Sequence, residues 1–151
     1  MTIFHLSGKS LLNRESVFSI STDVKNFHNI MPNYFKSLDI LSEDESGIVV
    51  LEKINFLGQS VNVKTKHLVL PPNVHKVFIL TGPLKGTSFI EYYEESSSGT
   101  LILISVNLKI NGLLKFIPFI ENILRKKMSH VMLEFINCAE KYYIENKLPM
   151  S

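Results

Sequence analysis

The stretch Asn111–Asn146, NGLLKFIPFIENILRKKMSHVMLEFINCAEKYYIEN, decides the fold of this chain. It reads as one long amphipathic helix entered through an apolar ramp. Starting from Ile120, the residues Leu124, Met128, Val131, Phe135, Cys138, Ala139 and Tyr142 share one face at helical spacing. Met132, Ile136 and Tyr143 widen that face, and Lys126, Ser129, Asn137 and Glu140 lie opposite. The apolar side is too wide for a coiled-coil seam, so the helix needs a sheet to lie on. Pro118 is tolerated only in the first turn of a helix, and the spacing predicts a helix over 118–146.

Upstream, the period changes to two. Ile3–Leu12 reads as a first strand. Asn13 is placed to cap a short helix over Arg14–Ser21, and Asp23 to cap a second through Ile30, ended by Pro32. About six strands follow: one through Leu38 and Ile40, then Ile48–Phe56, Ser60–Leu70, Val74–Thr81, Ser88–Glu95 and Thr100–Ile110. The acidic run Ser42–Gly47, then Leu57-Gly58-Gln59, Pro71-Pro72-Asn73, Gly82–Gly86 and Ser96–Gly99 read as the connections. Short connections between consecutive strands imply antiparallel pairing. Strands grouped before a helix imply an α+β domain, here a single one over residues 1–151.

Composition narrows the function. The 151 residues suffice for one domain with a real core, and a net charge of +2, with no dense basic stripe, argues against nucleic acid as a partner. The N-terminal residues alternate and carry charge early, unlike a signal peptide. No uninterrupted apolar stretch is long enough to span a membrane. The lone cysteine, Cys138, permits no intrachain disulfide, which favours a reducing compartment and a cytoplasmic location. No nucleophile elbow, phosphate-cradling loop or Cys/His metal spacing is present, so no metal, no cofactor and no catalytic residue is assigned. His5, His28, His67, His75 and His130 are scattered without ligand spacing.

Three segments resemble known proteins. The order of elements is similar to the helix-grip fold of the SRPBCC superfamily, which includes START lipid-transfer domains, birch-pollen-allergen-like proteins and polyketide cyclases. Asp23-Val24-Lys25-Asn26-Phe27 leading to Ile30-Met31-Pro32 and Ser37, then Leu80-Thr81-Gly82 with the hairpin Phe89–Leu103, and finally Met132, Phe135, Ala139 and Glu140 look most like the coenzyme-Q-binding START branch. Two positions depart from that branch: the strand Phe89–Tyr92 lacks its frequent Trp, and Asn33-Tyr34-Phe35 follows the proline instead of a Trp-Cys pair. The resemblance implies an antiparallel sheet of six or seven strands wrapped around the C-terminal helix, with two short helices after strand 1. Between sheet and helix it implies an elongated, mainly apolar cavity.

Candidate ligand-binding residues follow from faces. In Ser60–Leu70, Val61, Val63, Thr65, His67 and Val69 share one side. His67 is therefore the best polar candidate, either as an orienting hydrogen bonder or as a base; the alternative is a satisfied strand histidine. Glu91 and Tyr93 share one face of their strand and Ile90 and Tyr92 the other, and the serine turn leaves open which pair looks inward. The expected lining is Val61, Val63, His67 and Ile104 from the sheet, Leu124, Met128, Val131 and Phe135 from the helix, with Glu91 and Tyr93 if they face inward. The expected partner is a hydrophobic small molecule such as an isoprenoid quinone or a lipid; a cyclase- or dehydratase-like enzyme using the same cavity is the rival. The ramp Leu113, Leu114, Phe116 and Phe119, followed by Arg125-Lys126-Lys127, reads either as packing with a solvated basic face or as transient contact with a membrane surface.

Overall fold

The computed structural model describes residues 2–146, so the single-domain expectation over 1–151 reaches beyond them at both ends. Strand β1 (Thr2–Ser10) leads to helix α1 (Arg14–Ser21) and a 3-10 turn (Val24–Asn26) that runs into α2 (Phe27–Ile30). Six strands follow: β2 (Phe35–Asp44), β3 (Gly47–Phe56), β4 (Gln59–Leu70), β5 (Val74–Ile79), β6 (Ser88–Ser96) and β7 (Gly99–Leu108). A second 3-10 turn (Gly112–Phe116) precedes the long helix α3 (Ile120–Asn146). The strands form one antiparallel sheet in the order β1-β7-β6-β5-β4-β3-β2. This is the expected α+β helix-grip arrangement.

Local chemistry explains most boundaries. The Asn13 side chain accepts the Ser16 amide at 2.8 Å and caps α1. The β3–β4 hairpin turns on Leu57 and Gly58, both with positive φ (50° and 85°), the backbone that matches strand twist in a two-residue turn. Two of the boundaries that differ from expectation have a clear physical reason. The acidic run Ser42–Gly47 is mostly strand: Asp44 pairs with Gly47, and only Glu45 and Ser46 turn. An edge strand needs backbone partners on one side only, and charged side chains suit its solvated surface. The helix α3 begins at Ile120 rather than at 118. Ile117, preceding Pro118, is extended (φ −80°, ψ 125°), as residues before proline tend to be. Phe119 has φ 61°, which no right-handed helix accommodates.

The helix is held by two clusters. Ile120, Leu124 and Ile136 join Phe4, Val17, Phe18, Tyr93 and the inward residues of β7. Ala139 joins Val24, Phe27, Ile30, Met31, Phe35, Val50, Ile54 and Val63. Contact with β1 is so close that a Cβ on Gly8 would lie 2.7 Å from Cδ1 of Ile136. Glu140, expected on the solvated side, instead sits at this seam: its Oε1 accepts from Oγ of Ser10 at 2.8 Å and from the Leu11 amide. The β1 chain end thereby gains two partners from α3.

Glu140→Ala should therefore lower stability by about 1–3 kcal/mol, because a charge-assisted acceptor is lost from a partly buried seam. Glu134→Ala, which removes only an exposed ion pair with His130, should cost less than half of that. Urea unfolding of the two variants checks the difference.

Candidate functional site

Between the two clusters a cavity of about 200 Å³ lies between the middle of α3 and the sheet. Leu124, Met128, Val131, Met132 and Phe135 form its helical wall. Phe27, Phe35 and Phe135 close one end, with ring centroids 5.0 Å apart for Phe27–Phe135 and 5.2 Å for Phe27–Phe35. Val61, Val63, Val77, Ile79 and Phe89 line the sheet side. The exposed residues Asn62 and Pro83 mark where it opens. Pro83 also belongs to a surface groove with Gly82, Asn111, Gly112, Leu113, Leu114 and Ile117.

Polar groups on the sheet wall form one continuous strip across four strands. Alternation turns Glu52 of β3 inward between Val50 and Ile54, and His75 of β5 inward beside Val77. Register completes the row: His75 pairs directly with Glu91, while His67 pairs with Val77, two residues along from His75. Oγ1 of Thr65 donates to Oε1 of Glu52 at 2.7 Å. Nε2 of His67 lies 3.2 Å from the same oxygen and 3.1 Å from the Thr65 hydroxyl. Nδ1 of His67 lies 3.0 Å from Nε2 of His75, and Nδ1 of His75 lies 2.7 Å from Oε1 of Glu91. The Tyr93 hydroxyl donates to that Glu91 oxygen at 2.8 Å. The two imidazoles stack at 5.2 Å, and the Phe27 ring meets His67 edge-on at 5.7 Å.

Burial sets the protonation of this strip. Desolvation, outweighing the hydrogen bond from Glu52, pushes His67 below the ordinary histidine range, so the ring is neutral at physiological pH. Burial first, and then Glu91, holds the Tyr93 phenol well above its usual value. Burial and then Glu52 do the same for Tyr34, which also lines the cavity. Both phenols therefore stay protonated as donors. Burial, and then Glu134, also raises the half-buried Cys138, which stays a thiol packed beside the second cluster.

Of the residues expected at the site, Val61, Val63, His67, Glu91, Leu124, Met128, Val131 and Phe135 line the cavity. Tyr93 and Ile104 do not. Helix α1 covers β6 and β7 there, so Tyr93 packs edge-on against Phe18 and Ile104 lies in the first cluster. Tyr93 reaches the site only through its bond to Glu91. Glu52, His75 and Tyr34 are lining residues that the spacing did not single out. The one available signal was an acid or imidazole at an inward position of an alternating strand. Among the described residues, no cluster of His, Cys, Asp or Glu is arranged to hold a metal ion, and no helix is long and apolar enough to cross a membrane.

No protein-family model and no curated protein matches this sequence. Solved structures do match its shape. The Zhui aromatase/cyclase from Streptomyces sp. R1128 superposes with a TM-score of 0.78 at 13% identity, covering 95% of each chain. A START superfamily protein from Mycobacterium smegmatis gives 0.73 at 15% identity, covering 97% of this chain and 99% of the other. Norcoclaurine synthase from Thalictrum flavum, in complex with dopamine and hydroxybenzaldehyde, gives 0.72 at 14% identity, covering 97% and 88%. With one antiparallel sheet closed on a C-terminal helix, and these neighbours over nearly its whole length, the chain has the helix-grip fold that these structures share.

Proposed function

We propose that this chain binds a hydrophobic small molecule, of the isoprenoid quinone or lipid kind, in the cavity between α3 and the sheet. The carrying observation is the lining: apolar residues from both walls surround the space, and its buried ionisable groups lie in one strip. An apolar pocket with a few placed polar groups is the usual form of a small-molecule site. Burial of ligand surface would drive binding, at about 25 cal/mol per Å² before association costs. The strip would orient the polar end.

A second reading has a specific observation behind it. Four ionisable side chains, Glu52, His67, His75 and Glu91, are linked in series on the wall. A neutral imidazole coupled to carboxylates is equipped to move a proton, which suits a cyclase- or dehydratase-like reaction.

The mouth supports a loading route. Leu113, Phe116 and Phe119 are 85%, 81% and 80% exposed, whereas Leu114 turns in and packs against the first cluster. Lys115, Arg125, Lys126 and Lys127 accompany them against one acid, Glu121. Exposed apolar residues with cations close by in sequence suit transient contact with an anionic membrane surface. Phe116→Ser with Phe119→Ser should abolish co-sedimentation with anionic vesicles; unchanged sedimentation would remove the membrane from the scheme.

Val131→Glu should eliminate binding of apolar fluorescent probes and cost about 1–3 kcal/mol of stability, because it places an unpaired charge on the cavity wall. Wild-type protein that never takes up such probes would end the ligand-binding reading.

His67→Ala separates the two readings. For a binding protein it should weaken ligand by about 1 kcal/mol, the worth of one hydrogen bond; for an enzyme it should cut turnover by about 100-fold or more. Stability should carry the signature of the depressed imidazole. The unfolded chain takes up a proton near the ordinary value of about 6.5, whereas folded His67 resists it. Stability is then complete above that pH and falls as pH drops below it. Melting curves between about pH 8 and about pH 5 should show the fall in wild type and a shallower one in His67→Ala.

A further inference from the structure

Hydrogen-bond arithmetic along the polar strip fixes the sign of its charge. Three gaps run in series: Glu52 to His67, His67 to His75, and His75 to Glu91, at 3.2, 3.0 and 2.7 Å. Each gap is a hydrogen bond only when it holds one proton. Two neutral imidazoles supply two. With both carboxylates ionised, one gap would then face two lone pairs across a site where Glu52, His67 and His75 are 5%, 3% and 2% exposed. Such an unmade contact is costly in a buried network. A third proton, or the Thr65 hydroxyl 3.1 Å from Nε2 of His67, closes the series, and two carboxylate charges less at most one proton leave the strip net negative.

That charge is open to the cavity. Every bond that the strip makes to a carboxylate uses Oε1 of Glu52 or Oε1 of Glu91, and Oε2 of both accepts none among the described residues. Neither Oε2 is a sealed, unpartnered atom of the core, and both residues line the space. Lys127 is the only cation among the lining residues, and it forms no ion pair with either carboxylate.

We propose that the cavity selects ligands whose polar end is a hydrogen-bond donor, an ammonium first and a hydroxyl second, seated on Oε2 of Glu52 or on Oε2 of Glu91, and that it rejects the same apolar body ending in a carboxylate. The inference rests on the cavity being a ligand site, and it narrows that site to donor-ended ligands, away from a quinone, whose carbonyls only accept. An ammonium supplies the missing positive charge and up to three donors to oxygens that need them. A carboxylate brings a second negative charge and no donor into a dry site, which is doubly unfavourable.

The test uses naphthylmethylamine, naphthylmethanol and naphthoate, which share one fluorescent body, titrated into the full chain near neutral pH. The amine should bind about tenfold or more tighter than the alcohol, and naphthoate should not bind measurably. In Glu91→Gln or in Glu52→Gln, whichever carboxylate seats the ammonium, the amine's advantage over the alcohol should shrink towards unity, and an advantage kept in both would overturn the proposal; the ratio is read within each folded variant, so a general loss of affinity does not imitate it. Equal binding of all three, or naphthoate binding that Lys127→Met removes, would overturn the donor-end proposal while leaving the cavity as a ligand site. Failure of all three, together with failure of apolar probes, would sink both readings.

Discussion

The sheet grips α3 on either side of a cavity, and this constraint governs the rest of the molecule. At one end Ile120 and Leu124 are sealed against β7 and α1; Ile136 meets β1 at Gly8, and Ala139 is sealed against the α2–β3 cluster. Between these points Met128, Val131, Met132 and Phe135 are only half-buried. Apolar wall residues facing this space forgo the dispersion contacts that a filled core would give them. A ligand that fills the space recovers many of these, which couples binding to stability through the same wall residues.

The polar strip obeys a second constraint, that buried polar groups must satisfy one another. Glu52 or His75 alone on an apolar wall would be expensive. In series with Thr65, His67, Glu91 and Tyr93, each finds a partner within hydrogen-bonding reach. The row crosses four neighbouring strands, so the antiparallel register holds its geometry more firmly than a loop could. Rigid backbone support is what a site needs to orient a ligand or to aim a proton. Tyr93 illustrates the layering: buried under Phe18, it does not touch the cavity but fixes one oxygen of Glu91 and leaves the other to the space.

Much of this was legible in the chain itself, because helices and strands announce themselves through local periodicity. The apolar face of α3, the Asn13 cap, the seven strands and the inward side of β4, with His67 on it, all depend on residues a few positions apart. The helix start was misjudged by two residues, because Pro118 acts on its predecessor and Phe119 adopts a left-handed backbone that no local pattern signals. The site was legible only in part. His67 and His75 look scattered in sequence; they meet because the Pro71–Asn73 connection sets a register that places them diagonally across β4 and β5. Glu52 lies 15 residues before His67 and joins it only when β3 and β4 pair. Strand alternation places Ile104 on the wall, and Tyr93 too once its face of β6 turns inward, whereas the cover that α1 lays over that face comes from packing. Amphipathic period alone thus determined which surfaces of α3 and β4 turn inward, and left the face of β6 open. Where α3 stands off from the sheet, and which inward polar groups become neighbours, only the tertiary structure decided, since both depend on contacts between segments whose spacing no local pattern encodes.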